Sequence, residues 1–450
     1  MSLTPSLQAD TPQEMELENI FGCVCDLNGV LRGKRMPADQ LDKVMAGSVR
    51  MPLSIVGLDI WGEDIEGGAM VFETGDADGI CMPTGRGAMP MSWTRKPTAL
   101  IPLWMTEEGG APFLGDPRRA LANVVDRFKA HGLTPVVATE LEFYLFDPTD
   151  DLPAPPCSPI TGKRLMSDGA LCLDELEHFD AFLNDVYAAC LSQGIPADSA
   201  ISENGAGQFE INMRHLADPM RAADDALLFK RVVRGIARQH GFGATFMAKP
   251  YGDRAGSGFH VHMSLADAEG RNLFDNGGDD GTPMMLNAVA GLLETIQQNA
   301  LTFAPHENSF RRLLPGAHAP SNVAWGYENR TAAIRIPGGE SRARRIEHRV
   351  AGADANPYLV LASVLGGALL GIERELTPPP AITGDAYSLD LPHLPLDWAT
   401  AIRTFQNGAL VPEIYSRRLQ RMFVECKKQE QARFNRHVTE LEFHSYLEIV

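Results

Sequence analysis

Apolar and ionisable positions alternate with period two in the middle of the chain, in the run Val136-Val137-Ala138-Thr139-Glu140-Leu141-Glu142-Phe143-Tyr144-Leu145-Phe146. A strand turns successive side chains to opposite faces. The pattern predicts a strand with Leu141, Phe143 and Leu145 toward a core and Glu140 and Glu142 together on the other face. Three more segments repeat it. Gln208-Phe209-Glu210-Ile211-Asn212 groups Gln208, Glu210 and Asn212; Phe259 to Leu265 groups His260, His262 and Ser264; Ile346 to Val350 sets Glu347 beside Arg349. Carboxylates sharing one face of an apolar strand repel each other and lose hydration. A hard divalent cation with oxygen ligands would neutralise them.

Helical signals punctuate the same region. Asp116-Pro117, Asp218-Pro219 and Asn356-Pro357 each place a capping side chain before a proline suited to the first helical position. Helices are expected over 117–131, 175–193, 219–240, 283–304, 356–372 and 411–440, with loops over 147–161 and 378–395. Upstream, short strands are expected over 21–25 and 30–34 around an Asp26-Leu27-Asn28-Gly29 turn, then over 53–60, 69–72 and 98–104. The chain thus reads as a small strand-rich N-terminal domain followed by a larger one whose sheet carries all the ligand-bearing strands.

Composition narrows the class. The 450 residues are 44% hydrophobic, ample for a large core. No run approaches the ~18–20 apolar residues of a membrane span. The N-terminus lacks the basic-then-apolar pattern of an export signal, so a cytoplasmic protein with no membrane partner is expected. A net charge of −18 argues against a nucleic-acid partner. Seven scattered cysteines with no C-x-x-C read as free thiols.

The candidate ligands are Glu140, Glu142, Glu203, Glu210, His260 and Glu347. Five carboxylates and one imidazole suit two or more Mg²⁺ or Mn²⁺ ions, not a structural zinc. Asn308-Ser309-Phe310-Arg311-Arg312, Asn329-Arg330-Thr331-Ala332-Ala333-Ile334-Arg335 and Arg349 supply cations near apolar strands. Metals with converging arginines describe a phosphoryl-transfer site. No P-loop or dinucleotide fingerprint is present.

These segments resemble the glutamine synthetase family. The resemblance rests on Glu140-x-Glu142-Phe143, Glu203 with Gly207-Gln208-Phe209-Glu210-x-Asn212, Gly256-Ser257-Gly258-Phe259-His260-x-His262-x-Ser264, the two arginine motifs, and Arg345-Ile346-Glu347-x-Arg349 with Ala355-Asn356-Pro357-Tyr358. It implies an α+β fold: a β-grasp-like N-terminal domain over 17–112, and a catalytic domain over 113–450 with a curved antiparallel sheet flanked by helices. It implies that Glu142, Glu203 and Glu210 hold one Mg²⁺ or Mn²⁺, that Glu140, His260 and Glu347 hold a second, and that two or three ions serve each site. Arg312, Arg349 and Gly256 would bind L-glutamate. Arg330 and Arg335 would contact the phosphates of ATP, with His262 and Ser264 on the nucleotide side. Asp59 stands where the family places a base from a neighbouring subunit, in a homo-oligomer of two stacked hexameric rings; a purely structural role is the alternative. ATP would phosphorylate the glutamate γ-carboxylate, and an amine would displace the phosphate.

The departures lie on the amine side. Ammonia-using members end the segment after the Arg312 motif in Pro-Gly-aromatic-Glu-Ala-Pro; here it reads Pro315-Gly316-Ala317-His318-Ala319-Pro320. Ala255 replaces an asparagine, and Asp59 is followed by Ile60-Trp61-Gly62. His318 is expected at the amine site, with a loop histidine bound to backbone as the alternative. The chain resembles the gamma-glutamylputrescine synthetase branch through Asp26-Leu27-Asn28-Gly29, Phe246 to Tyr251, Trp325-Gly326 and Val350 to Asn356, which implies putrescine or another polyamine as the amine. Trp325 is expected to offer an apolar surface to the amine, and Tyr387 to be a solvated loop residue. Rival expectations are a ligase for ethanolamine or a small monoalkylamine, a true glutamine synthetase, and an inactive structural relative.

Overall fold

The computed structural model describes residues 16–68, 70, 75–149, 153–166, 169–314 and 319–450. Two sheets organise them. The first contains β1 (Asn19–Cys25), β2 (Leu31–Pro37), β3 (Val49–Pro52), β4 (Asp78–Pro83), β5 (Met89–Pro90) and β6 (Thr98–Thr106), in the order β2-β1-β6-β4-β3 with β5 beside β6. The β1–β6 pair is parallel and the rest antiparallel. The hairpin expected at Asp26 is present. One Asp26 carboxylate oxygen accepts from the Asn28 and Val30 amides at 2.9 and 2.8 Å, and Gly29 takes the left-handed φ of 75° that closes the turn. The strand expected over 53–60 does not form. Val49–Pro52 pairs instead, and Leu53–Gly57 coils into a 3₁₀ helix that buries Leu53 and Val56. Proline at position 52 cannot donate to a ladder, which ends the strand there. The strand expected over 69–72 falls, Met70 apart, outside the described residues.

The second sheet carries β7 (Thr134–Phe146), β8 (Ala197–Ser202), β9 (Gln208–Met213), β10 (Gly243–Thr245), β11 (Phe259–Ala266), β12 (Trp325–Tyr327), β13 (Ile334–Ile336) and β14 (Ile346–His348). Its order is β12-β13-β14-β11-β7-β9-β8, with β10 beside β7, and all its pairs are antiparallel except β12–β13. The alternation holds: Leu141, Phe143, Leu145, Phe209, Ile211, Phe259, Val261 and Ile346 are fully buried on the core side.

The longer helices are α1 (Pro117–Ala130), α2 (Asp180–Ser192), α3 (Pro219–Gln239), α4 (Pro283–Thr295), α5 (Pro357–Glu373), α6 (Trp398–Asn407) and α7 (Arg417–Arg436). Asp116, Asp218 and Asn356 cap α1, α3 and α5 with their side chains, as their spacing to proline predicts. Three expected helices are interrupted. Phe179 separates Leu173–His178 from α2, α4 ends at Thr295 before a short Ala300–Phe303 turn, and Ser416 starts α7 anew after Val411–Ile414. All seven cysteines are free, five of them buried. Among the described residues, no helix is long and apolar enough to cross a membrane.

α7 returns to the N-terminal sheet and ties the two halves together. Glu430 accepts from the Asn28 side chain at 3.1 Å and from the Ile60 amide at 2.9 Å, and pairs with Lys427 at 2.8 Å. Glu430 and Lys427 are both 0% exposed. A buried pair broken on one side leaves an uncompensated charge. Glu430→Ala should therefore lower the free energy of unfolding in denaturant by about 3–5 kcal/mol, whereas exposed Glu440→Ala should change it by less than about 0.5 kcal/mol.

Candidate active site

Register does most of the assembly. β7 pairs with β9 so that Glu142 lies opposite Glu210 and Glu140 opposite Asn212. On its other edge β7 pairs with β11, setting Glu140 opposite His260. β11 pairs with β14, setting His262 opposite Glu347, and β14 pairs with β13, setting Glu347 opposite Arg335. Five strands thus raise carboxylates, imidazoles and a guanidinium on one face, the floor of a cavity of about 830 Å³. Glu203, Arg312, Arg330, Arg345 and Arg349 complete its walls.

The negative charge is unevenly compensated. Glu140 bonds to His260 at 3.1 Å and to His262 at 2.8 Å. Burial pushes its carboxyl up, but these two hydrogen bonds outweigh it and hold Glu140 well below the ordinary carboxylate range. Glu347 is gripped by Arg335 at 2.8 Å and by Arg349. Burial raises it as well, yet Arg349, then His260 and His262, bring it down to about 2. Glu203 has only the Asn204 amide and the charge of Arg330 to lower it, and the groups around Glu210 all raise it. Burial, then the charge of Glu142, pushes Glu203 up to about 7; burial, then Glu140, Glu142 and Glu203, pushes Glu210 up to about 10. One end of the floor is therefore paired with imidazoles and guanidinium groups, and the other crowds carboxyls that raise one another.

A divalent cation fits this donor set. Oxygens or ring nitrogens of Glu140, Glu210 and His260 lie within 4.8 Å of one another, as do those of Glu140, His262 and Glu347. Hard oxygens with one or two imidazoles match Mg²⁺ or Mn²⁺. Glu140 belongs to both groups, and His262 enters a grouping where the sequence pointed to His260. Glu142 is held ready: its carboxylate accepts from the Gly258 amide at 2.9 Å and from Gln208 at 3.2 Å. A Cβ at Gly258 would sit 3.0 Å from Glu142 and 2.9 Å from both His260 and Arg312, so any larger residue would have to push these side chains aside.

The other expected residues divide. Gly256 borders the cavity, and its carbonyl accepts from Gln208 at 3.0 Å. Arg312 is buried and spends two donors on the Val350 and Arg349 carbonyls. Ser264 does not border the cavity. Asp59 is also elsewhere in this chain: it is buried, accepts from the Trp61 and Glu63 amides and from Gln429 at 2.9 Å, and borders a separate groove with Glu63, Glu66 and Arg433. His318 lies outside the described residues. Trp325 departs from expectation. It is 4% exposed, donates to the Pro379 carbonyl at 2.8 Å, packs on Tyr327 and does not border the cavity. Tyr387 departs in the other direction. Half-buried, it lines the cavity with Arg312 and Arg349, and its hydroxyl donates to the Ala319 carbonyl at 3.1 Å.

Residues 114–446 match the family model "Glutamine synthetase, catalytic domain". The chain belongs to the glutamine synthetase family. Within that family it is 38% identical to gamma-glutamylputrescine synthetase PuuA of Escherichia coli K12, over 93% of this chain and 89% of that protein. It is 30% identical to gamma-glutamylethanolamide synthetase GlnA4 of Streptomyces coelicolor, over 95% of this chain and 92% of that one. A solved structure described as a GmaS/ADP complex superposes with a TM-score of 0.84 at 26% identity, covering 97% of this chain and 98% of that one. The α+β architecture with an N-terminal sheet and a larger catalytic unit is thus that of the glutamine synthetases.

The raised carboxyls generate a test. A carboxyl whose folded value lies above its unfolded one keeps a proton that the unfolded chain has lost. Its contribution to stability therefore falls as pH rises from about 4.5 through the folded value. For Glu203 and Glu210 that window runs up to about 7 and about 10. Glu210→Gln should raise the Tm of the metal-free protein, more at pH 8 than at pH 6, and should remove most of the Tm increase that Mg²⁺ gives the unaltered chain. Thermal scans with and without EDTA check both effects; an unchanged Mg²⁺ response in the variant would exclude Glu210 as a ligand.

Proposed function

We propose that this chain is an ATP-dependent ligase joining the γ-carboxylate of L-glutamate to an amine, and that the amine is putrescine or another polyamine. The observation that carries the ligase reading is the co-location of six metal-type ligands and Arg312, Arg330, Arg335 and Arg349 in one cavity of about 830 Å³. Mg²⁺ or Mn²⁺ ions, two or three per site, would be held by Glu140, Glu142, Glu203, Glu210, His260 and Glu347, and would neutralise charge on phosphoryl oxygens. Arg312, Arg349 and Gly256 take the glutamate; Arg330 and Arg335 take the phosphates, with His262 on the nucleotide side. The carboxylate gains a phosphoryl group as ADP leaves. The amine nitrogen then bonds to the acyl carbon, the phosphate departs with its electron pair, and the nitrogen gives up a proton. Phosphorylation converts a poor electrophile into one with a good leaving group.

Similarity to gamma-glutamylputrescine synthetase and the replacements at Ala255, Ala317 and His318 support the polyamine. Alkyl amines are protonated at neutral pH, near the ~10.4 of a lysine side chain, so the site must hold a cation and strip a proton. Where ammonia enzymes place an acid, His318 weakens the negative field. A compact ammonium loses more by that than an alkyl amine, which gains ~0.8 kcal/mol per buried methylene. The similarity to gamma-glutamylethanolamide synthetase supports a second reading, a short amino alcohol or monoamine.

Two assays test the proposal. ADP formation with glutamate across an amine panel should give a kcat/KM for putrescine at least ~100-fold above that for ammonia, ~2.7 kcal/mol of discrimination. His318→Glu should narrow the gap by improving ammonia use. Equal rates with ammonia would return the chain to the ordinary glutamine synthetases, and preference for ethanolamine would select the second reading.

Asp59 is proposed as the base that a neighbouring subunit contributes, in a cytoplasmic assembly of two hexameric rings. Asp59→Ala and Glu142→Gln should each be nearly inactive alone, while the co-expressed mixture should recover partial activity at sites pairing an intact Asp59 with an intact Glu142. A mixture no more active than its parts would place Asp59 outside the reaction.

A further inference from the structure

A second cavity, of about 470 Å³, lies between the N-terminal sheet and the catalytic unit and shares no lining residue with the metal-type site. Four cations enter it from one helix: Lys230, Arg231, Arg234 and Arg238 of α3. Their spacing of three, four and seven residues places Arg231, Arg234 and Arg238 on one face, where like charges repel. In a chain of net charge −18 such a concentration runs against the overall balance. Compensation is missing. None of the three arginines forms an ion pair among the described residues, and the Nε of Arg231 is buried with no hydrogen-bond partner. Arg234 lies over the Phe246 ring at 5.2 Å, which orients it without neutralising it.

The remaining polar lining is already engaged. Lys230 donates to the Ala355 carbonyl at 2.8 Å. Asp354, the single carboxylate in the lining, accepts from Ser309 at 2.6 Å. Burial pushes Asp354 up, and burial, then the like charge of Arg234, brings Lys230 down to about 7. The unused donors are guanidinium forks, which match planar or tetrahedral oxyanions. The volume falls in the range of small-molecule sites, and Trp93 and Leu227 give the wall an apolar part.

We infer that this inter-domain cavity is a binding site for a small polyanion bearing carboxylate or phosphate groups, distinct from the cavity that holds the metal-type ligands. Backbone hydrogen bonds connect its wall to the first site. Phe246 and Met247 lead to Ala248, whose carbonyl accepts from Ser257 at 2.8 Å, and the Ser257 carbonyl accepts from Ala353 at 2.9 Å. Ser257 adjoins Gly256, which borders the first cavity.

Calorimetric titration of the full chain with citrate, and separately with inorganic phosphate, in metal-free buffer tests this. One citrate should bind per chain with a Kd below about 1 mM. The double variant Arg231→Gln/Arg234→Gln should weaken it at least 10-fold with an unchanged circular-dichroism spectrum, while Arg335→Gln in the first cavity should change it less than 2-fold. Should the double variant misfold, Arg238→Gln alone, at an exposed position, should weaken citrate at least 3-fold. Phosphate binding with the same variant pattern identifies any oxyanion as sufficient; citrate binding alone identifies a polycarboxylate. No heat with either probe, or loss of binding in Arg335→Gln but not in the α3 variants, overturns the inference.

Discussion

Keeping like charges side by side on one face of a sheet is the constraint on which this molecule turns. Glu142 faces Glu210 across a strand pair, with Glu140 and Glu203 close by. Such a pairing destabilises a sheet unless something answers it. The protein answers it on one side with imidazoles and guanidinium groups. On the other it leaves the charge to protons and, in the reading advanced above, to metal ions. The apolar backs of the same strands, buried among Phe143, Phe209 and Phe259, supply the burial that holds the acids in place.

That answer has a geometric price tag of its own. Most groups that neutralise an acid come from a neighbouring strand in the correct register, since a slip of one residue turns the whole set to the wrong face. His260 opposite Glu140 and His262 opposite Glu347 meet this requirement by direct cross-strand pairing. Gly258 adds close packing, with Glu142, His260 and Arg312 all within about 3.0 Å of where its Cβ would be. The site is therefore a property of the sheet more than of its loops, and its rigidity is that of a packed core.

Much of this was legible in the sequence because period two is a strong signal over long runs. Thirteen residues of β7 fix their faces unambiguously, and six of β9 and eight of β11 do so with help from flanking phenylalanines. The signal fails where runs are short. Trp325 sits on a three-residue strand, too brief for alternation to assign a face, and it went to the core. Residues 53–57 are apolar without alternation, and a proline before them turned an expected strand into a 3₁₀ helix. Tyr387 reaches the cavity from a loop that has no period at all. Asp59 shows the same limit: its partner Gln429 lies 370 residues away, on a helix whose docking no local pattern announces.

The return of α7 to the N-terminal sheet carries a consequence for how the chain is made. Asn28 and Glu430 are 402 residues apart, yet each completes the other's hydrogen bonding inside the protein. During synthesis the first sheet emerges long before the helix that satisfies its turn. Until then Asn28 and the Ile60 amide must stay solvated, and the groove that α7 covers stays open. Domains generally fold as units in order of emergence, but here the first unit can be finished only by the last. Contacts of such span make folding slow and leave incomplete surfaces exposed for most of translation. On the ribosome, the turn at Asn28 therefore keeps its hydrogen bonds to water until α7 has emerged.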